Sequence, residues 1–127
     1  MFDGRDLDEA ERLVDEWQAG FEDRAAQARA LSVRLMALSA SAESDDGLVR
    51  VTVGASGSIA GLSLEEGIRD QPASTTARAI LSTLRTAQAS LTRAATAITA
   101  ETVGADSETG KAVIASYAAR EGGVADE

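Results

Sequence analysis

Three arginines, Arg78, Arg85 and Arg93, are the residues of this 127-residue chain best spaced to do chemistry, and the chemistry is anion binding. Seven residues make nearly two helical turns, so Arg78 and Arg85 fall almost on one line, with Arg93 about 80° further round the axis. The stretch Gln71 to Ala100 contains all three and no acid, so as a helix it would offer a positive stripe along which phosphates could lie. Arg29, Arg34 and Arg50 are lesser candidates for the same role. The competing reading makes these arginines solubility charges that pair with Asp15, Glu16, Glu22 or Asp23 on a neighbouring helix.

Other motifs carry less. Gly54, Gly57 and Gly61 could suggest a phosphate cradle, but they lie between two strand patterns and open no helix, which favours a plain turn. Gly104 to Lys111 resembles a nucleotide-binding loop with one residue too many between its glycines, and Ala112 stands where Ser or Thr is required. Asp6, Asp8, Glu9 and Glu11 lack the glycine and spacing of a calcium loop and read as a solvated helix start. Tyr117 and Glu121 match the Tyr-x-x-x-acid pattern of type VII secretion substrates, a match that an acid-rich chain easily makes by chance. With no cysteine and no histidine there is no disulfide, thiolate nucleophile or imidazole base, and no usual zinc or copper ligand set. No metal or other cofactor is expected, and the chain reads as a binding module rather than an enzyme.

Hydrophobic residues make up 44% and charged residues 26%, the balance of a folded soluble domain. Aromatics are 3%, so the apolar mass is Ala, Val, Leu and Ile, side chains suited to close helix packing. The net charge of -9 is unevenly spread: nine acids and three bases up to Arg24, six and seven from Ala25 to Ala100, six and two from Glu101 onward. The middle is therefore the place for a polyanion, and the acidic ends should oppose one. No apolar run approaches the roughly 18 residues of a membrane span, and the acidic start is unlike a secretory signal; a cytoplasmic location is expected.

Two long amphipathic helices are legible. From about Asp6 to Ala40, Leu7, Val14, Phe21, Ala28 and Leu35 alternate with Ala10, Trp17, Arg24, Leu31 and Leu38 as the two seam positions of a heptad. Asp6 and Glu9 resemble a capping box, and Trp17 on the seam reads as a core residue. The second helix begins near Pro72, capped by Asp70 or Gln71, and carries Ala77, Leu84, Leu91 and Ile98 on one seam and Ile80, Ala87 and Ala94 on the other. Residues 1–105 form one domain; 106–127 form an acidic tail with a short helical stretch from Lys111 to Arg120 and a disordered end beyond Glu121.

Between the helices, Val49 to Val53 alternates as a strand that folds back through Gly54 to Gly57 onto Ser58 to Leu64. The pattern places Val53 opposite Ser58, Val51 opposite Ala60 and Val49 opposite Leu62; Ala42 to Ser44 is too polar to decide as a third strand. An isolated hairpin is marginal in water. Val49, Val51, Val53, Leu62 and Leu64 need more cover than helices running far beyond the sheet provide, so they are the expected interface of a homodimer.

The string Gly47-Leu48-Val49-Arg50-Val51-Thr52-Val53, the turn after it, the Leu62 to Leu64 strand and the Ala-rich second helix resemble the YbaB/EbfC family of nucleoid-associated proteins. The resemblance covers most of the chain. It implies an α+β fold with an α-β-β-β-α protomer, two long helices flanking a short antiparallel meander, dimerisation through the sheet region, and weak duplex DNA binding with little sequence specificity. Where family turns carry Asn-Gly with a nearby Lys or Arg, this chain has Gly54-Ala55-Ser56-Gly57. Acidic relatives occur beside type VII secretion genes, which leaves a second expectation open: a coiled-coil adaptor or chaperone for a protein partner.

Overall fold

A computed structural model describes residues 4–125 of the chain. Its elements run α1 (Gly4–Met36), β1 (Ala40–Glu43), β2 (Val49–Val53), β3 (Ile59–Leu64), a 3₁₀ turn (Glu66–Asp70), α2 (Ala73–Thr102) and α3 (Glu108–Ala125). The three strands form one antiparallel sheet in the order β1-β2-β3, so the fold is α+β, with one helix more than the resemblance implied.

The stretch at Ala42 that sequence left undecided is β1, paired with β2 from Ala40–Val53 to Glu43–Arg50. Its sequence is polar because one of its faces is wet. There Ser41 Oγ lies 2.7 Å from Thr52 Oγ1, and Arg50 reaches Glu43 at 2.8 Å. The other face carries Val49, Val51 and Val53, each 0% exposed beneath α2. Alternation along β2 thus decides which side the helix covers.

The β2–β3 register differs from the expected one. Val49 pairs with Leu64, Val51 with Leu62 and Val53 with Ile59, with a bulge between Thr52 and Val53. The turn supplies one residue of the shift, because Gly54 N–H donates to Ser58 O at 3.0 Å and so Ser58 faces Gly54, and the bulge, which leaves Ala60 unpaired opposite Thr52 and Val53, supplies the second. A slip of two residues preserves the faces, so Leu62 and Leu64 still lie on the valine side. They remain 47% and 40% exposed because α2 lies over β1 and β2 and leaves β3 uncovered. The cover that the valines require is therefore supplied within the protomer.

At the opposite turn, Gly47 at φ 75° lets its N–H bond to Ser44 O. Asp46 accepts from Ser44 Oγ and Leu48 N–H, which holds its carboxyl below the usual carboxylate range.

The helix starts also depart from expectation. Described helix already runs through Asp6, so Asp6 sits in the first turn instead of capping it. No side chain caps α2: Pro72 occupies the cap, and Gln71 instead donates through Nε2 to Thr76 Oγ1 at 2.8 Å. Ala87, Leu91 and Ala95 face the core, joined by Thr83, Gln88 and Thr99. Period-3.5 seams did not mark these polar positions. Thr99 is tolerated at 0% exposure because its hydroxyl donates to Ala95 O at 2.7 Å, and Gln88 donates across to Gly57 O at 2.9 Å.

The helical stretch expected from Lys111 to Arg120 is longer, and Gly122 and Gly123, expected in a disordered end, lie inside α3. The apparent nucleotide loop is the turn that folds α3 back on α2. Gly104 at φ 86° ends α2, and Ser107 caps α3, accepting from Gly110 N–H at 2.9 Å. Docked there, Tyr117 is 6% exposed and its hydroxyl donates to Ala55 O at 3.0 Å in the hairpin turn.

A Cβ at Gly110 would collide with the Gly104 carbonyl. Gly110→Ala is accordingly expected to loosen α3 and lower stability by roughly 2 kcal/mol, or 5–10 °C in Tm, in a thermal melt. An unchanged melt would mean that α3 contributes little to the fold.

Candidate nucleic-acid interface

The positive stripe stands on α2, and the packing of that helix decides which side it presents. Ala87 and Leu91 turn toward the sheet, so the i±7 row through Arg78 and Arg85, roughly 160–180° round the axis from Ala87, points away from it. Both arginines are exposed, and among the described residues neither is ion-paired or hydrogen-bonded. Leu81 lies between them, 52% exposed. About two helical turns, some 10 Å, separate the guanidinium attachment points.

Arg93 is exposed as well but sits about 80° round from Arg85, and it donates to Ser90 Oγ at 3.1 Å. Arg29 is exposed on α1 without a partner among the described residues. The other two candidates are engaged. Arg34 donates to Glu101 Oε2 and to Thr102 Oγ1, both at 3.1 Å, and so pins the C-terminal end of α1 to that of α2. Arg50 is paired with Glu43 across the sheet. The acids Asp15, Glu16, Glu22 and Asp23, considered from sequence as helix-to-helix partners of the arginines, form no ion pair with any of them among the described residues. They stand on the part of α1 that leaves the body of the fold.

Glu43, Asp45 and Asp46 border a depression against Ala79, Ser82, Thr83 and Thr86, about 90–100° round α2 from Arg78 and Arg85. The acidic turn and the basic row therefore lie on different flanks of one helix. Glu101 is the one acid of α2, at its last turn, and Arg34 already neutralises it. What α2 offers at Arg78 and Arg85 is a short, uncompensated row of guanidinium groups on a rigid support, able to contact phosphate oxygens.

A model of the YbaB/EbfC DNA-binding family matches residues 11–106. The chain belongs to that family. No curated protein and no solved structure matches it. The family match takes in most of α1, the whole sheet and all of α2 with its arginines, and it stops short of α3. DNA binding is attached to this family by its description. No helix among the described residues is long and apolar enough to cross a membrane.

Tyr117, which the sequence sets with Val113 and Ile114 on one side of a short helix and in a Tyr-x-x-x-acid match easily made by chance, has its ring buried, with the Arg120 guanidinium 4.9 Å from the ring centre. A buried tyrosine bonded to the hairpin turn is a packing residue of this fold. Its spacing from Val113 on one helical face was the available clue.

Proposed function

We propose that this chain is a nucleoid-associated homodimer that binds duplex DNA weakly and without base specificity, with Arg78 and Arg85 as the principal phosphate contacts and Arg93 beside them. Support comes from the exposed, unpaired state of Arg78 and Arg85 on an outward face of α2, within a chain of the DNA-binding family. Arg29 could add a contact from α1, while Arg34 and Arg50 would first have to leave Glu101 and Glu43. Guanidinium groups along one helix face reach backbone phosphates, and the chain has no Asn and a single Lys to add contacts to base edges. Binding should therefore be similar for unrelated duplex sequences and fall steeply with salt. Fluorescence anisotropy with two unrelated duplexes at low and physiological salt tests this; a strong preference for one sequence, or no binding at low salt, refutes it.

Homodimerisation, in this reading, uses the part of the valine face that α2 leaves open. Of the expected set, Val49, Val51 and Val53 form the buried layer, and Leu62 and Leu64 are the exposed members that a second copy would cover. β3 is the edge strand beside them, pairing with β2 alone among the described residues.

Charge at the C-terminal end should oppose binding. Deleting 106–127, the direct test on sequence grounds, would uncover the core around Tyr117 and Val113. Asp106→Asn with Glu108→Gln removes two exposed acids and keeps α3 in place. This variant is expected to bind DNA roughly two- to fivefold more tightly at low salt, with the gain vanishing at high salt. Unchanged affinity would mean that the acids lie too far from the DNA to be felt.

A further inference from the structure

Most of α1 leaves the body of the fold as an arm. Leu31 is its one buried residue among those described, and Arg34 marks where it meets α2. The N-terminal seam has no cover: Leu7 is 51% exposed, Val14 58%, Trp17 69% and Phe21 58%, and Leu13 on its flank is 66% exposed. Trp17, expected from the heptad to be a core residue, is thus bare in the protomer. Its ring centre lies 5.8 Å from that of Phe21, the Arg24 guanidinium lies 5.8 Å from the Phe21 ring, and Val14, Trp17 and Phe21 line one open depression.

We propose that this arm pairs antiparallel with the arm of a second copy, with Val14 of each facing Trp17 of the other. The side chains choose both direction and register. In that alignment the seam layers are Leu7 with Arg24, Ala10 with Phe21 and Val14 with Trp17, each formed twice about a central two-fold axis. Each aromatic meets a smaller residue. On one flank Leu13 comes opposite Gly20, beside which there is open space for it to fill; on the other flank Glu11 meets Gln18.

The parallel arrangement in register fails on the same residues. It would set Trp17 on Trp17 and Phe21 on Phe21, leave a void at Ala10 against Ala10, and bury Arg24 against Arg24. It would also stack Asp6, Asp8, Glu9 and Glu11 of one arm on the same acids of the other. Antiparallel pairing instead sets Asp6, Asp8 and Glu9 at the level of Arg24 of the second copy. The surface is separate from the arginine row of α2 and from the β3 edge, so it is a further self-contact, whatever the outcome of the DNA measurements.

Because the chain has no cysteine, introduced thiols report the register cleanly. Full-length Glu11→Cys and Gln18→Cys chains, distinguished by size tags, are mixed and treated with a short bis-maleimide. The expected product is the mixed pair, at several times the yield of either like-with-like pair. Adding Trp17→Glu and Phe21→Glu to both chains should reduce it at least tenfold while circular dichroism shows the fold retained. Predominant like-with-like products would overturn the antiparallel register. No cross-link at tens of micromolar, or a mixed yield indifferent to the two glutamates, would show that the arm is not a self-pairing surface.

Discussion

Val51→Asp is expected to leave the protein unfolded at 25 °C and neutral pH. Val51 is 0% exposed between the sheet and α2, paired with Ala42 and Leu62 on its two sides. A carboxylate there must stay charged without a partner or take up a proton, and either costs several kcal/mol. A domain of this size has only about 5–15 kcal/mol in total, and this one has a single thin core. Val51→Ala, which removes two methyl groups and adds no charge, should cost about 2 kcal/mol and still fold. Arg50→Ala, one residue away but on the wet face, removes an ion pair whose side chains are more than half exposed, and should cost under about 1 kcal/mol. The three variants, compared by circular dichroism and thermal melts, check the assignment of faces along β2. If Val51→Asp melted like Arg50→Ala, that assignment would be wrong.

Changing Arg78, Arg85 and Arg93 together to alanine should abolish measurable DNA binding without altering the fold or the oligomeric state. All three are exposed, and the one hydrogen bond among them, Arg93 to Ser90, lies on the surface, so their loss removes little packing. With three phosphate contacts per protomer, a dimer neutralises about six, and its affinity should fall roughly a thousandfold between 50 and 200 mM salt. Arg78→Ala or Arg85→Ala alone should flatten that salt dependence by about one unit of slope for each phosphate no longer neutralised, equally for every duplex sequence. Arg34→Ala and Arg50→Ala should have smaller effects, since both side chains already hold carboxylates. A triple variant that binds like the parent would dismiss the α2 row as the interface and return attention to a protein partner.

The parts legible in sequence were those set by local periodicity. Alternation in Val49–Val53 gave both the strand and the face it buries. The apolar spacing of the two long helices gave their extent to within a few residues, and the resemblance carried by Gly47 to Val53 proved to be family membership. The arginine row was visible in the same way, since spacing along a helix needs only the sequence. Errors arose where distant groups meet. The hairpin turn and the bulge opposite Ala60 moved the β2–β3 register, the partner of Arg34 proved to be Glu101, 67 residues away, and a stretch with the look of a tail folded back to bury Tyr117.

Sequence by itself determined the strand and helix periods, the face of β2 that is buried, and the absence of acids around Arg78 and Arg85. Tertiary structure decided which seam is covered and which is bare. An amphipathic period says that a face is apolar and is silent about what lies against it: the α2 seam is closed by the sheet, while the equally regular seam of α1 from Leu7 to Phe21 stands open. Side-chain polarity likewise says nothing of burial when the hydroxyl can bond within its own helix, which is why Thr99 lies at the centre of the fold.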